Sequence, residues 1–395
     1  MKLMQILKTA LVFTMLFVQG CDNSRDIQNL AYVTSLGIDY VNGKYVSYVQ
    51  VLNFTNIARS ENVQLGKEVP IWIGVGDGQT VAGSLTEINS TSQFPLFWGH
   101  LKSVVMTENV LNKDVAEVYS TLNRHPEVRY NLLVYGTKDK LADILTQKSL
   151  FNLSPLDTIM FTEEQMSSQK SFILPINGNH GIANLNEKGN PGFIPSIAIS
   201  TKNWKEDKKE KGMFTISGAY FFENSRLNSW VSISDLKGMR WIDRKLDKTP
   251  LLVNPEHEEH PGKVIMFSHP VFKAVPRVKD NSVIYDITLK VKGTVVEQFE
   301  EIPTSRLEQQ AAKAIEKELR STFETGLSKQ CDPYQLRERL YRKSSKLFNR
   351  LTKNKPFFLD KNSLGSIKID VKIISTGKIK GGFNRSESSE RDSSY

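Results

Sequence analysis

Four consecutive segments set the fold class of this chain: LKSVVM (101–106), DVAEVYSTLN (114–123), NLLVY (131–135) and KDKLADILTQ (138–147). The first and third are short apolar runs of strand length. In the second and fourth, apolar residues recur every three to four positions, which is the spacing of one helix face. Alternating strands and helices are typical of a sheet covered by helices. The four segments therefore predict a mixed α/β domain.

Towards the N-terminus, residues 31–52 predict a β-hairpin, because two β-rich runs flank Asn42-Gly43, a dipeptide that accepts positive φ at both turn positions. Residues 71–73 predict a short strand, and a glycine-rich turn and a helix follow it. We expect this N-terminal α/β domain to span residues 21–195. The Asn- and Gly-rich segment 184–192 predicts a linker at its end.

Towards the C-terminus, residues 283–291 alternate apolar and polar side chains, as a half-buried strand does. A helix is predicted after Ser305, with one apolar stripe formed by Leu307, Ala311, Ile315, Leu319 and Phe323. A second helix is predicted over Tyr334–Lys353, and a final strand over 367–373. These elements predict a C-terminal α/β domain over residues 263–380, built on two long helices.

Between these domains, residues 196–262 predict a small β-rich middle domain. Its charged loop, 202–211, mixes lysines with acidic residues and therefore predicts a solvated excursion rather than a basic patch. The tail, 381–395, is rich in Ser and charge with almost no apolar residues, so we expect disorder there. The predicted class is α+β, a three-domain mixed α/β body.

The N-terminus predicts a cleaved lipoprotein signal peptide over residues 1–20. Lys2 and Lys8 supply its positive start, and the apolar run 9–18 is too short to span a bilayer. Gly20 is a small residue directly before Cys21, so a lipoprotein signal peptidase could cut there. Cys21 would then carry an N-acyl, S-diacylglycerol anchor. The alternative is an ordinary signal peptide with a chance cysteine at the cut.

Two short motifs invite a catalytic interpretation. The glycines at 74, 76 and 78 lie between a strand and a helix, as in a phosphate loop. Their spacing does not match the dinucleotide-binding fingerprint, and the Lys-Ser/Thr pair of a Walker A loop is absent. His257 and His260 are three residues apart, whereas the zinc-protease motif places them four apart on a helix. Close packing and a solvated acidic loop are the alternatives. We expect that the chain is not an enzyme, that it uses no cofactor or metal, and that it has no nucleic-acid partner.

The predicted helix over Tyr334–Lys353 is strongly basic, with a single acid, Glu338. A basic face near a membrane attracts anionic lipid or an acidic partner. The alternative is a solvated face on a helix that packs inward. The candidate contact residues are Arg337, Arg339, Arg342, Lys343, Lys346, Arg350 and Lys353.

Three groups of residues resemble the Ger(x)C family of spore germination lipoproteins. The first runs from Cys21 through Leu30 to Gly37-Ile38-Asp39. The second comprises Gly99-His100-Leu101-Lys102 and the segment Arg124-His125-Pro126-Glu127-Val128-Arg129. The third is the strand that ends in Ser375-Thr376-Gly377. The sequence departs from the family at Asp22, where tryptophan is common, and at His125-Pro126, which replaces an acidic residue.

The resemblance implies the C subunit of a nutrient germinant receptor, acting with two integral-membrane subunits, A and B. It implies a three-domain body, held by its lipid on the outer face of the cell membrane or spore inner membrane. Scaffolding is the expected role. A solute-binding lipoprotein that captures nutrient directly is the alternative, and two similar lobes around a cleft would favour it. The sequence shows no such internal symmetry.

Overall fold

The computed structural model describes the chain from residue 30 to residue 375, with gaps. The described ranges are 30–52, 70–129, 131–161, 171–186, 189, 192–244, 246, 248–253, 262–279, 282–297 and 302–375. The predicted signal peptide, Cys21, the histidines at 257 and 260, and the tail at 381–395 lie outside them. Within them, no helix combines the length and the apolar character needed to cross a bilayer.

The first half of the chain contains most of the strands. They are β1 (Ala31–Val41), β2 (Lys44–Leu52), β3 (Trp72–Gly78), β4 (Leu96–Phe97), β5 (Ser103–Thr107), β6 (Leu133–Thr137), β7 (Ile176–Asn177), β8 (Phe193–Ser200), β9 (Lys205–Glu206), β10 (Lys209–Glu210), β11 (Met213–Glu223) and β12 (Arg226–Ser232). The helices among them are α1 (Val81–Thr91), α2 (Glu108–Lys113), α3 (Val115–Asn123), α4 (Leu141–Thr146) and α5 (Gly178–Asn186).

All of these strands except β9 and β10 form one sheet, in the order β12-β11-β8-β6-β5-β1-β2-β3, with β4 beside β1 and β7 beside β6. The central strands β1, β5, β6 and β8 are parallel, and antiparallel strands extend both ends. Val104 and Val105 point to opposite faces and are both buried. Helices cover both faces, because a parallel sheet must bury both.

The predicted hairpin is present as β1 and β2, with Asn42 at φ 51° and Gly43 at φ 83° in the turn. The glycines of β3 have a packing role. A Cβ at Gly76 would lie 2.5 Å from the carbonyl oxygen of Ser84, and one at Gly78 would lie 2.6 Å from the Ser84 nitrogen. Helix α1 therefore lies directly against the backbone of β3. The structure favours close packing over a phosphate loop.

The second half forms a smaller sheet under one long helix. Its strands are β13 (Thr249–Val253), β14 (Lys263–Lys279), β15 (Ser282–Glu297) and β16 (Leu364–Ser375), and its helices are α6 (Thr304–Ser328), α7 (Leu336–Lys343) and α8 (Ser345–Asn354). The five stripe residues predicted for α6 are all buried, and they share a core with Phe267, Tyr285 and Leu289 of the sheet. The predicted α+β class is confirmed.

The structure divides residues 196–262 differently from the three-domain prediction. The predicted boundary between residues 195 and 196 falls inside β8, which pairs with β6 of the first sheet. Strands β11 and β12 continue that sheet, whereas β13 joins the second one. Apart from the short β9–β10 hairpin, the described part of the segment has no sheet of its own. The open edge of β6 supplies unpaired backbone groups, and pairing with β8 satisfies them.

The contact between α1 and β3 gives a first test. Gly76→Ala should lower the free energy of unfolding by about 1–3 kcal/mol, because the added methyl group has no space against Ser84. Gly83→Ala on the same helix is the matched control, since its Cβ would meet the Thr80 hydroxyl at 3.2 Å and the Gly78 Cα at an ordinary contact distance of 3.9 Å. Urea unfolding followed by circular dichroism measures both. Equal stability of the two variants would contradict this packing.

Candidate functional site

The basic segment predicted as one helix is two helices that meet at Ser344. Ser344 has φ −157° and ψ 89°, which is not helical, and its hydroxyl accepts a hydrogen bond from the Leu347 backbone N–H. Serine is a favoured N-cap because its oxygen satisfies a free N–H of the first turn. The break turns α7 and α8 into separate elements with different surroundings.

Arg337, predicted to face outward, is buried, with only 3% of its surface exposed. Its guanidinium donates two hydrogen bonds to Glu223 at the end of β11, at 2.5 and 3.0 Å, and a third to the Pro356 carbonyl at 3.0 Å. The rings of Phe348, Phe357 and Phe358 surround it. The outward prediction is wrong for this residue, because the arginine joins the two sheets instead.

Two further members of the basic set are engaged with the protein. The Arg339 guanidinium lies 5.3 Å from the centre of the Phe272 ring, and burial lowers its pKa. Lys343 is exposed, but its Nζ donates to the Pro276 carbonyl at 2.9 Å. These two contacts fix α7 against β14. Arg342 instead pairs with Glu338 on its own helix.

Five cations of the set are exposed on α7 and α8, and together they form the basic face: Arg342, Lys343, Lys346, Arg350 and Lys353. On α8, positions 346, 350 and 353 follow the spacing of one helix side. Leu351 and Phe348 point the other way, into the core. The face can therefore contact a partner without disturbing the packing of α8.

A cleft of about 240 Å³ opens at the amino ends of β5 and β6. Three basic side chains line it, those of His100, Lys102 and Arg129, together with the amides of Asn131 and Asn177. The described lining residues include no acid. Ligands of open α/β sheets usually bind at the opposite, carboxyl ends of the strands. Its volume is below the roughly 300 Å³ at which typical ligand pockets begin, so it suits only a small anion.

The electrostatics of the cleft favour an anion. Burial lowers the pKa of His100, and Arg129 and Lys102 lower it further. The imidazole packs edge-on against Tyr32 and Phe97, with ring centres 5.2 and 5.8 Å away. His100 is thereby held neutral near pH 7, and Lys102 and Arg129 supply the positive charge.

Two sequence segments come together beside this cleft. The Trp98 backbone N–H donates to Glu127 Oε2 at 3.0 Å, and the Trp98 ring lies 5.7 Å from that of His125. The Lys102 carbonyl accepts a hydrogen bond from the Leu133 backbone N–H at 2.8 Å, which ties the residue before β5 to the first residue of β6. Both segments stand out in the sequence, but nothing there places them together. No spacing signal links them, because Trp98 and Glu127 are 29 positions apart.

The free thiol of Cys331 is buried, and burial raises its pKa to about 12. A thiol of this kind stays protonated and unreactive. Among the described residues, no group of three or more His, Cys, Asp or Glu side chains could hold a metal.

Two family models cover most of the chain. The spore germination protein N-terminal domain matches residues 23–199, and the spore germination B3/GerAC-like C-terminal domain matches residues 217–377. The chain belongs to the Ger(x)C family. The resemblance drawn from the sequence is thus confirmed.

Similar Ger(x)C proteins agree in length. Spore germination protein KC of Bacillus subtilis (strain 168) is 20% identical over 386 residues, covering 93% of each chain. Spore germination protein B3 of the same organism is 19% identical, covering 80% of this chain and 85% of its own. The crystal structure of the GerBC protein matches 88% of this chain and all of its own, with 17% identity and a TM-score of 0.50. That likeness shows a shared fold.

The two facing segments beside the cleft both belong to the part of the chain that resembles the family. Residues 99–102 and 124–129 carry the Ger(x)C resemblance, and both contribute lining residues to the cleft. The boundary between the two family models lies between β8 and β11. Those two strands nevertheless pair with each other, so the first sheet contains residues from both matches.

Removing the buried cation should destabilise the protein. Arg337→Gln leaves the Glu223 carboxylate without its partner, and we expect a loss of about 3 kcal/mol because Glu223 is only partly exposed. Arg350→Gln, on the exposed basic face, should change stability by no more than about 0.5 kcal/mol. Denaturant titration of both variants makes the comparison. A harmless Arg337→Gln would mean that the pair does not join the two sheets in solution.

Proposed function

We propose that this chain is the lipoprotein C subunit of a spore nutrient germinant receptor. The observation that carries the proposal is where the family match begins: it starts at residue 23, two residues after Cys21 at the predicted cleavage site. The family match would then begin almost directly after the lipid anchor. The anchor holds the protein at the outer face of the cell membrane or spore inner membrane.

The proposed role is scaffolding of the integral-membrane A and B subunits. A lipid tether confines the protein to the membrane surface, which raises its effective concentration for membrane-bound partners. The basic face on α7 and α8 offers one surface for an acidic partner segment or anionic lipid. Within the described ranges, its residues 346, 350 and 353 are exposed.

The anchor is tested by Cys21→Ala. Without the thiol no diacylglycerol can be attached, so the variant should leave the membrane fraction or accumulate as an uncleaved precursor. Metabolic labelling with a radioactive fatty acid, followed by immunoprecipitation, reads out the modification directly. Cys331→Ala is the matched control and should keep its label, because this thiol is buried. Label retained on Cys21→Ala would refute lipidation at this residue.

The second candidate function, direct capture of nutrient, is favoured by one observation, the cationic cleft. Lys102 and Arg129 could hold the carboxylate of a small nutrient there. No second lobe closes over the cleft in the described structure, and the two sheets differ in size and topology. Scaffolding therefore remains the main proposal.

Calorimetry separates the two functions. Titration of the mature chain with amino acids, sugars and nucleosides should give no saturable heat if the subunit is a scaffold. Binding at micromolar affinity to the germinant that triggers these spores would favour nutrient capture. In that case Arg129→Gln should weaken binding by tenfold or more, and Arg124→Gln, which lies outside the cleft lining, should leave it unchanged.

A further inference from the structure

A group of exposed apolar side chains lies beyond the carboxyl end of β8, on the loop after α4 and on the connection from β8 to β11. Phe151 exposes 81% of its surface, Leu153 50%, Trp204 49% and Leu150 37%. The loop carrying three of them follows α4, and Trp204 begins the β9–β10 hairpin. We call residues 150–153 together with residues 202–210 the loop–hairpin tip. Its large apolar groups face solvent although a packed core lies close by.

The tip is one connected unit. Asn152 donates to Glu206 Oε1 at 2.6 Å and accepts from Lys211 Nζ at 2.5 Å, and Lys211 also pairs with Glu206 at 2.8 Å. Gln147 donates to the Gly212 carbonyl at 2.8 Å and so ties the bases of loop and hairpin together. Trp204 lies directly before β9, two residues before Glu206. Phe151 and Trp204 are thereby carried on two segments that are tied to each other.

The loop backbone is strained in a way that exposes phenylalanine. Phe151 has φ 61° and ψ 22°, and Asn152 has φ 57°. Asparagine tolerates this left-handed region, whereas a bulky aromatic residue rarely adopts it. A strained residue gains nothing for folding when its side chain is exposed. Strain of this kind occurs at sites that serve binding.

The surroundings of the apolar groups are rich in lysine. Residues 202, 205, 208 and 209 are exposed lysines on the hairpin. The hairpin also carries three acids, Glu206, Asp207 and Glu210, of which Glu206 is paired with Lys211. These mixed charges predicted a solvated excursion. The structure adds the exposed Phe151, Leu153 and Trp204 beside it.

We propose that the loop–hairpin tip dips into the headgroup region of the bilayer to which the chain is tethered. Tryptophan and phenylalanine favour the membrane interface, and lysines around them meet anionic headgroups. A stable protein interface buries roughly 800 Å² per partner, more than four partly exposed side chains supply. The inference rests on the proposed membrane tether. It adds a second contact that orients the body on the membrane.

The test uses the mature chain, residues 21–395, which contains every described residue. Its Cys21→Ser variant carries an N-terminal hexahistidine and is bound to vesicles through a nickel-chelating lipid, so the assay does not depend on lipidation. Phe151→Cys is added to this variant, and an environment-sensitive fluorophore is attached to the new cysteine. Asn89→Cys, exposed on α1, is the matched control. Cys331 stays unlabelled because its thiol is buried and protonated.

On vesicles containing phosphatidylglycerol, the label at 151 should shift to the blue, be quenched by spin labels near the headgroups and resist iodide. The label at 89 should remain accessible to iodide. Equal iodide access at the two positions would overturn the proposal. Shielding of the label at 151 in the absence of vesicles would also overturn the proposal, because it would indicate contact with a second copy of the chain. Shielding that occurs in native membranes but not on the vesicles would overturn it as well, because it would indicate a protein partner.

Partition of the untethered chain into the same vesicles gives an independent measure. Phe151→Ser and Trp204→Ser should each lower the partition coefficient by about tenfold, the loss expected for one buried aromatic side chain. Val296→Ser should not change it, because Val296 is on the second sheet; its exposed fraction of 61% lies between those of Trp204 and Phe151. Unchanged partition of the first two variants would count against the tip. Fatty-acid labelling of Cys21 decides the tether separately, so the failure of one proposal is distinguishable from that of the other.

Discussion

The bidentate pair between Arg337 and Glu223 is the contact on which the arrangement of the two sheets depends. Glu223 ends β11 of the large sheet, whereas Arg337 belongs to α7, which packs on the small one. A buried guanidinium without a carboxylate partner is costly, so the two elements must stay together. Asp332 strengthens the join by accepting the Arg337 backbone N–H at 2.8 Å.

A second set of contacts ties the segment between the two sheets to α6. Arg240 and Trp241 both donate to Glu318 of α6, and the Gly238 N–H donates to Thr322 at 2.9 Å. These residues lie in the segment once expected to be a separate middle domain. They hold the segment between the sheets against α6, whereas β11 and β12 complete the first sheet and β13 completes the second. The connecting segment is therefore part of both bodies rather than a linker.

A body joined in this way presents its surfaces at fixed positions. The basic face of α8, the cationic cleft below β5 and β6, and the loop–hairpin tip belong to different elements, yet the junction holds them in one arrangement. The proposed scaffolding role would use such fixed spacing, because a partner bound at one surface is then positioned relative to the others. A cleft that suits a small anion is compatible with that proposal.

The sequence by itself determined the elements whose signals are local. The alternation at 283–291, the stripe of α6 and the Asn42-Gly43 turn each depend on neighbouring residues, and all three are present. Only the tertiary structure decided which edge β8 would pair with, that Arg337 turns inward to Glu223, and that Phe151 is left exposed beside lysines. Arg337 and its exposed neighbours on α7 and α8 belong to one basic run in the sequence. Arg337 differs from its exposed neighbours because the fold brings it Glu223 from 114 positions away, and burial of a charge depends on the partner that it meets.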